Sequence, residues 1–445
     1  MGTLEALDGR DARTEPGAGV PAGPAAASDA VAGGGEVEVR PFPYPYRAML
    51  AICSDLDETP DAETYFALSR FLNTTQETAV GPGVGIEAGN SIYFDMPPGQ
   101  FSYCNASDLD RGRLRTAIRS GHIDCLHSFG DWATSRGHAS RAWAELDRHG
   151  CSLGVWVDHG VAPTNFGADI MRGHGDCRSH PAYHADLTVA HGVEYVWRGR
   201  VTSVIGQDRP LSFGGLCDRA QPLASAITVV KEAAKQVLAR SGSRKYSLHR
   251  FNRTLHPVRL RDGAAVFEFL RCNPHPGGVS GGDIGPRIGE VLTARFLDRL
   301  AERQAGCILY THLGKPEGGG GRSLGFSAIS AFRRLAEYHH RGEILVTTTR
   351  RLLDYCRLRR ELRLSVSGRN GLVTVDLDGP GNGHIGRDWL TPERLQGLTL
   401  YLAEPERAQL RLRGLALTRV LRRGSDASGR ASLQVPWEPL EFPDL

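Results

Sequence analysis

The sequence predicts an α/β fold, a parallel sheet or barrel wrapped by helices, with a small β-rich unit at its carboxyl end. Two observations carry this. From "YRAMLAICSDLDE" onward, short apolar runs alternate with helical stretches, the rhythm of parallel strands joined by helical crossovers. Beyond residue 360, apolar and polar residues alternate between turn residues, which is the period of half-buried strands. With 445 residues, the chain exceeds one minimal domain, at roughly 100–200 residues per domain. The expected organisation is a disordered leader over 1–40, a main α/β domain over 41–358 and the β-rich unit over 359–445.

The elements follow in order. "AMLAIC" reads as a buried strand and "DAETYFALSRFLN" as a helix that Asp61 can cap. "DLDRGRLRTAIRSG" is a helix stopped by Gly121, followed by the strand "HIDCLH". "HASRAWAELDRHG" is helical, and "SLGVWVDHG" is the strand after it. Residues 160 to 225 are rich in His, Gly and polar types and read as long loops with short strands such as "EYVWRG". Long ordered loops in compact domains are often functional. Alternation resumes with "SAITVVKEAAKQVLAR", "GAAVFEFLRC", the helix "IGEVLTARFLDRLAERQAG" and the run "CILYTHLG". Then come the helix "SAISAFRRLAEYHHRG", the strand "EILVTTT" and the helix "RRLLDYCRLRR". "LRLSVSG", "LVTVDLDG", "LTLYLA" and "QLRLRGLALTRVLRR" supply the β texture of the tail.

Composition excludes several classes of partner. The net charge of +3 is spread without a basic block, so neither nucleic acid nor an anionic membrane is expected as a partner. The first 39 residues are rich in Ala, Gly and Pro and lack the apolar core of a signal peptide. No later segment approaches the roughly 18 consecutive apolar residues of a membrane span. A soluble, cytoplasmic protein is the expectation, of open oligomeric state. The nine cysteines are scattered and form no CxxC pair, which reads as reduced, mostly buried thiols.

Chemistry in parallel α/β folds collects at the carboxyl ends of strands, and three such ends here are unusually polar. "AICSDLDE" brings Asp55 and Asp57, a carboxylate pair able to divide metal binding from proton handling. "HIDCLHSFGDW" brings His127 and Asp131, four apart, which would share one face if the chain turned helical after the strand. "CILYTHLGKP" ends on His312, a residue type suited to general acid work near neutral pH. Any one of these can equally be a solvated loop or a hydrogen-bonded structural histidine. Their coincidence in one chain is the signal.

Together these segments resemble the NodB-type polysaccharide deacetylases of the glycoside hydrolase/deacetylase superfamily, whose fold is a distorted (β/α) barrel. The resemblance runs over roughly residues 45 to 355 and leaves the tail uncovered. "SDLDE" looks like that family's opening motif, which implies Asp55 as general base and Asp57 as metal ligand. "GHIDCLHSFGD" is similar to the second motif from Gly121 through His127 and Ser128, then departs: Asp131 stands where the family has its second histidine. The resemblance therefore implies a cation held by Asp57, His127 and Asp131, with His138 or a middle-loop histidine as other candidates. Two carboxylates and one imidazole make a harder ligand set, so manganese, iron or cobalt compete with zinc, the metal expected first. "ILYTHLG" resembles the motif that ends in the acid, which falls on His312. The family's arginine loop, which steadies the base, has no clear copy, and "GVWVDHGVAPTNFG" in its place offers Asp158, His159 and Asn165. Trp197 in "EYVWRG" faintly suggests the Trp-rich strand.

The activity that the resemblance implies is that of a metal-dependent hydrolase removing an N-acyl group, acetyl first, from a carbohydrate or sugar-containing substrate. Trp132, Asp158, His159, His184 and Trp197 are the residues offered for substrate binding. A second cluster, "GHGDCRSHPAYHADL", carries His174, Asp176, His180, His184 and Asp186, as a cation site, a pocket wall or a polar loop. "KPEGGGGRSLGF" lacks the spacing of a phosphate loop and reads as a mobile loop near His312. Two other readings stay open. One is a carbohydrate-binding protein with a decayed site. The other is a glycoside hydrolase using Asp55 with Asp158, or Glu268, as its carboxylate pair.

Overall fold

The computed structural model describes residues 37–211, 216, 222–317, 324–379 and 389–445. The expected leader lies outside these residues except for its last few positions. So does the glycine run at 318–321.

The main sheet has eleven strands: β1 (Ala48–Ser54), β2 (Gly89–Ile92), β3 (Ile123–His127), β4 (Val155–Val157), β5 (Tyr195–Trp197), β6 (Val201–Thr202), β7 (Leu255–Arg259), β8 (Ala265–Phe269), β9 (Arg271–Cys272), β10 (Gly306–Thr311) and β11 (Ile344–Thr347). Its order is β7-β8-β5-β4-β3-β2-β1-β10-β9-β6, with β11 beside β1. Every pairing is parallel except that of β7 with β8. The sheet is strongly curled. The continuous run 265–272 registers on Tyr195 and Val196 through Phe267 and Glu268, and on Leu309 through Cys272. It thus spans from one flank of the sheet to the other.

β1 shows why these residues make this sheet. All seven of its residues are buried, as parallel strands covered on both faces require. Met49, Ala51 and Cys53 face an inner cluster with Cys125, Val155, Val157, Tyr195, Trp197, Phe269 and Ile308. Leu50 and Ile52 face an outer cluster with Leu68, Phe71, Phe296, Leu300, Phe332 and Leu335. That two-residue alternation is the pleat read directly in the chain.

The outer layer is helical. α1 (Ala62–Asn73) begins on Asp61, whose Oδ1 accepts from the Thr64 amide at 2.7 Å, as the sequence led one to expect. α2 (Asp108–Arg119) and α3 (Arg136–Arg148) cover β3 and β4 through Leu114, Ile118, Trp143 and Leu146. α4 (Ala185–Ala190) and α5 (Pro222–Arg240) follow, then α6 (Ala294–Arg303), α7 (Phe326–His340) and α8 (Thr349–Glu361). Among the described residues, no helix is long and apolar enough to cross a membrane.

The tail forms small sheets of its own. Arg363–Arg369, Leu372–Asp378, Ala408–Leu412 and Leu415–Ala416 make one, and Thr399–Tyr401, Leu421–Arg423 and Ser432–Gln434 another, joined by Glu38–Val39. Leu352, Leu353 and Leu358 of α8 share a core with Val375, Leu377, Leu400 and Leu410. Arg40 ties the amino end to this unit through Asp426 at 3.0 Å. Of the eight described cysteines, all free, Cys53, Cys125, Cys151, Cys272 and Cys307 are buried.

Candidate active site

Parallel strands deliver their carboxyl ends to one rim, and there the polar residues converge. Asp55 and Asp57 follow β1, His127 ends β3, His159 follows β4, Arg271 lies in β9 and His312 follows β10.

Asp55 is 1 % exposed. Its Oδ2 pairs with the Arg271 guanidinium, itself fully buried and stacked on the Trp197 ring at 4.5 Å. Its backbone amide donates to Thr311 O at 2.9 Å, which fixes the strand end. The second carboxylate oxygen, Oδ1, is buried, has no hydrogen-bond partner among the described residues and lies 3.8 Å from His127 Nδ1. Sequence reasoning missed Arg271. The only signal was an arginine terminating the apolar run "AVFEFLRC", a place where a charge needs a partner.

Asp57 stands between two imidazoles. His312 Nε2 lies 2.8 Å from Oδ2 and His159 Nε2 lies 3.1 Å from Oδ1. Oδ1 is buried, with the His159 ring as its near neighbour among the described residues. Burial alone would raise this carboxyl's pKa, but the imidazoles of His127, His159 and His312 outweigh it and hold the value well below the usual range.

Each flanking imidazole is backed by a carboxylate. His312 Nδ1 sits 3.0 Å from Asp283 Oδ2, and the two main chains bond where the His312 amide donates to Asp283 O at 2.6 Å. Burial would lower the pKa of His312; the bonds to Asp283 and Asp57 reverse this and lift it to about 9. His159 Nδ1 sits 3.0 Å from Asp131 Oδ1. Its pKa, which burial would lower, rises to about 10 through Asp131 and Asp57. Asp283 was not read from the sequence, because its loop "GGDIGP" has no periodicity that marks it.

His127 is 1 % exposed, with Nδ1 3.3 Å from Ser91 Oγ and its ring stacked on Tyr93 at 4.7 Å. Burial pushes its pKa down to about 4 against the pull of Asp55 and Asp57, so near neutral pH it offers a neutral ring nitrogen. The chain after it does not turn helical. Ser128 has φ 51° and Gly130 φ 96°, and a Cβ at Gly130 would stand 2.3 Å from Asp95 O. This sharp turn swings Asp131 away from the His127 face, leaves its side chain 44 % exposed and aims it at His159. Trp132, 51 % exposed, sits next to it on the rim.

Asp158, Asn165, His184 and Trp197 lie deeper. Asp158 is fully buried and accepts from Trp156 Nε1 at 2.6 Å, Phe166 N at 2.9 Å and Gly167 N at 2.7 Å. It ties down the loop after β4, and burial raises its pKa to about 7. Asn165 belongs to the same knot through His159 O at 2.9 Å. His184 is buried between Thr188 Oγ1 at 2.8 Å and Thr164 O at 2.7 Å. Trp197 is 1 % exposed, and its Nε1 donates to Arg200 O at 2.9 Å. In the histidine-rich loop His174 stacks on His180 at 4.2 Å, Asp176 accepts from Arg261 Nε at 2.8 Å and Asp186 pairs with Arg136 at 2.6 Å. Glu268 pairs with Arg198 and Arg200.

Among the described residues, two groups present potential metal ligands within 4.8 Å of one another: Asp55, Asp57 and His312 at the rim, and the buried Cys53, Asp124 and Cys125 below it. The carboxylates of Asp55 and Asp57 and the imidazole of His312 are donor types that suit a divalent cation at the rim. Searches against known protein families find no family model that matches this chain, and no curated protein matches it either.

Proposed function

We propose that this chain is a metal-dependent hydrolase that removes an N-acyl group, acetyl first, from a carbohydrate or sugar-containing substrate. In this reading the curled sheet is the distorted (β/α) barrel of the polysaccharide deacetylase type. The observation that carries the proposal is the pairing of Asp55 with Arg271 beside Asp57, facing His312 backed by Asp283. A base, a cation ligand and an acid then stand at one rim.

Asp57 and His127 would hold the cation, which when bound polarises the acyl carbonyl and activates water. Arg271 occupies one oxygen of Asp55 and leaves Oδ1 to take the proton of the attacking water. His312 delivers a proton through Nε2 to the departing amine, and Asp283 on Nδ1 fixes the ring and sustains its charge. Trp132 offers an exposed aromatic face at the rim against which a sugar ring can stack. The carboxylate pair of a glycoside hydrolase has less support, since Asp158 and Glu268 already have partners for their oxygens.

The test is release of free amine from a panel of N-acetylated sugars, nucleotide-linked sugars and glycosides, with zinc, manganese, iron or cobalt supplied. Amine release that disappears in Asp55→Asn and His312→Ala supports the reading. Undiminished release in either folded variant refutes the assigned roles.

A further inference from the structure

Helix α5 (Pro222–Arg240) is built inside out. Its buried side chains include Ser225, Glu232 and Gln236, while Leu223, Ile227, Val230, Val237 and Leu238 are each 42–81 % exposed. Leu223, Ile227, Val230, Ala234 and Val237 follow one another at steps of four and three, which keeps them on one face of a helix. That face is opposite the buried polar one and makes an aliphatic stripe about four turns long. The inward polar groups have partners. Glu232 Oε1 accepts from the Ser203 amide at 3.1 Å and pairs with Lys235 at 2.8 Å, and Gln236 Nε2 donates to His249 O at 2.6 Å. The stripe joins none of the hydrophobic clusters among the described residues. An apolar patch of this kind, rimmed by polar residues, marks a contact surface.

The stripe is set in positive charge. Residues 222–253 hold seven Lys and Arg against one acidic residue, Glu232. Glu232 is buried with Lys235. Lys231, Arg240, Arg244, Lys245, Arg250 and Arg253 are all exposed and form no ion pair among the described residues. Lys231 and Arg240 flank the stripe on its two sides. The Gln236 bond holds the turn Arg244–Phe251 against the helix. That turn ends on the exposed Phe251, with the guanidiniums of Arg250 and Arg253 at 5.2 and 5.5 Å from its ring. The +3 of the whole chain, which argued against an anionic surface as partner, averages this segment away: its own balance is +6, and the remainder is net negative.

We propose that this face docks the protein on an anionic phospholipid surface, with the aliphatic stripe entering the headgroup boundary and the six cations lying among the phosphates. A helix with apolar residues on one side and Lys and Arg around them binds in the plane of such an interface. Each basic residue near an anionic leaflet adds to the attraction. With Lys231, Glu232 and Lys235 near its middle, α5 lies on a bilayer; among the described residues, no helix is long and apolar enough to cross one. Two other occupants fit less well. A second copy would bring the same cations against their equivalents, with no exposed acidic group in the segment to receive them. A nucleic acid would match the charge but not the stripe, because single-strand binders stack bases on aromatic rings and Leu, Ile and Val offer none. The proposal does not depend on the hydrolase reading.

The experiment is co-sedimentation of the full-length chain with vesicles of phosphatidylcholine alone or mixed equally with phosphatidylglycerol, at about 0.1 M and about 0.5 M salt. Wild type should bind the anionic vesicles at least about 10-fold more tightly than the neutral ones and lose most of that advantage at the higher salt. Ile227→Glu/Val230→Glu and, separately, Lys245→Glu/Arg250→Glu should each weaken anionic binding by at least about 10-fold. All four positions are exposed, so circular dichroism should be unchanged. Equal binding to the two vesicles, binding to neither, or a folded Ile227→Glu/Val230→Glu that sediments like wild type overturns the proposal. So does a wild-type dimer that Ile227→Glu/Val230→Glu dissociates without lipid, which assigns the stripe to a second copy, and so does binding to RNA without binding to vesicles. The comparison of lipid compositions needs only wild-type protein, so a variant that fails to fold does not blunt the test. The hydrolase reading stands in every case.

Discussion

Arg271→Met removes the guanidinium that pairs with the buried Asp55 carboxylate. The methionine approximates the arginine stem and can still lie against the Trp197 ring, so the perturbation is chiefly electrostatic. Both partners are almost fully inaccessible, at 0 % and 1 % of their side-chain area. Two unit charges about 4 Å apart interact by about 4 kcal/mol at an effective dielectric of about 20. Breaking one side of a buried pair typically costs about 3–5 kcal/mol, because the survivor is left without compensation. Arg271→Met should therefore lose about 3–5 kcal/mol in urea or guanidinium unfolding. Asp55→Asn/Arg271→Met, which carries neither charge, should recover most of that loss. The assay is a double-mutant cycle at pH 7 on wild type, both single variants and the double. A loss below about 1 kcal/mol in Arg271→Met, or a double variant as unstable as the single, would refute the claim that this pair is what makes a buried base tenable.

Other consequences can be measured independently. His312→Ala should lower turnover by about 10²–10⁴-fold; Asp283→Asn should lower it less and move the alkaline limb of the pH profile to lower pH, because Asp283 helps to hold the His312 proton, while an effect confined to stability would deny Asp283 its positioning role. Asp158→Ala leaves the Trp156 indole and the Phe166 and Gly167 amides without their acceptor, and should cost about 2–4 kcal/mol by unfolding; an Asp158→Ala protein as stable as wild type would mean the loop holds itself. The pKa of His184 is pushed down to about 4, chiefly by burial, against about 6.5 when unfolded. As pH falls from 6.5 towards 4 the unfolded chain gains a proton that the native one refuses, so this contribution to stability is fully present above 6.5 and is lost with acid. His184→Leu should remove up to one proton, about 1.4 kcal/mol per pH unit, from the slope of unfolding free energy between pH 6.5 and 5; an unchanged slope would contradict a neutral buried ring.

Much of the fold was legible because burial writes its period into the chain. "AMLAIC", "HIDC" and "CILYT" are strands buried on both faces, and they read as near-continuous apolar runs. Asp61 caps its helix through its side chain, and the strand-ending Asp55, Asp57, His127 and His312 were visible as polar residues where apolar runs stop. What pairs across the sheet was not. Arg271 meets Asp55 from 216 positions away because the curl brings β9 beside β10, and no local pattern encodes that approach. Asp283 reaches His312 through a single bridge between Ile284 and His312. The direction of Asp131 depends on left-handed backbone at Ser128, a conformation that sequence spacing does not display. Spacing of four suggested a shared face, and the turn decided otherwise. Asp158, His184 and Trp197 looked like pocket residues by type, but each sits under the rim with its polar atoms satisfied inside the protein.

The most direct test of the central claim is to measure acetate released from N-acetylated sugars while a divalent cation is added back, in steps, to chelator-stripped protein. Wild type and Asp55→Asn are compared with cation binding followed in the same samples. Wild-type acetate release should rise in proportion to bound cation and level off at about one equivalent, with Asp55→Asn binding the cation equally and releasing almost none. Folded, cation-loaded wild-type protein that releases no acetate from any N-acetylated sugar, or Asp55→Asn turnover equal to wild type, would contradict it.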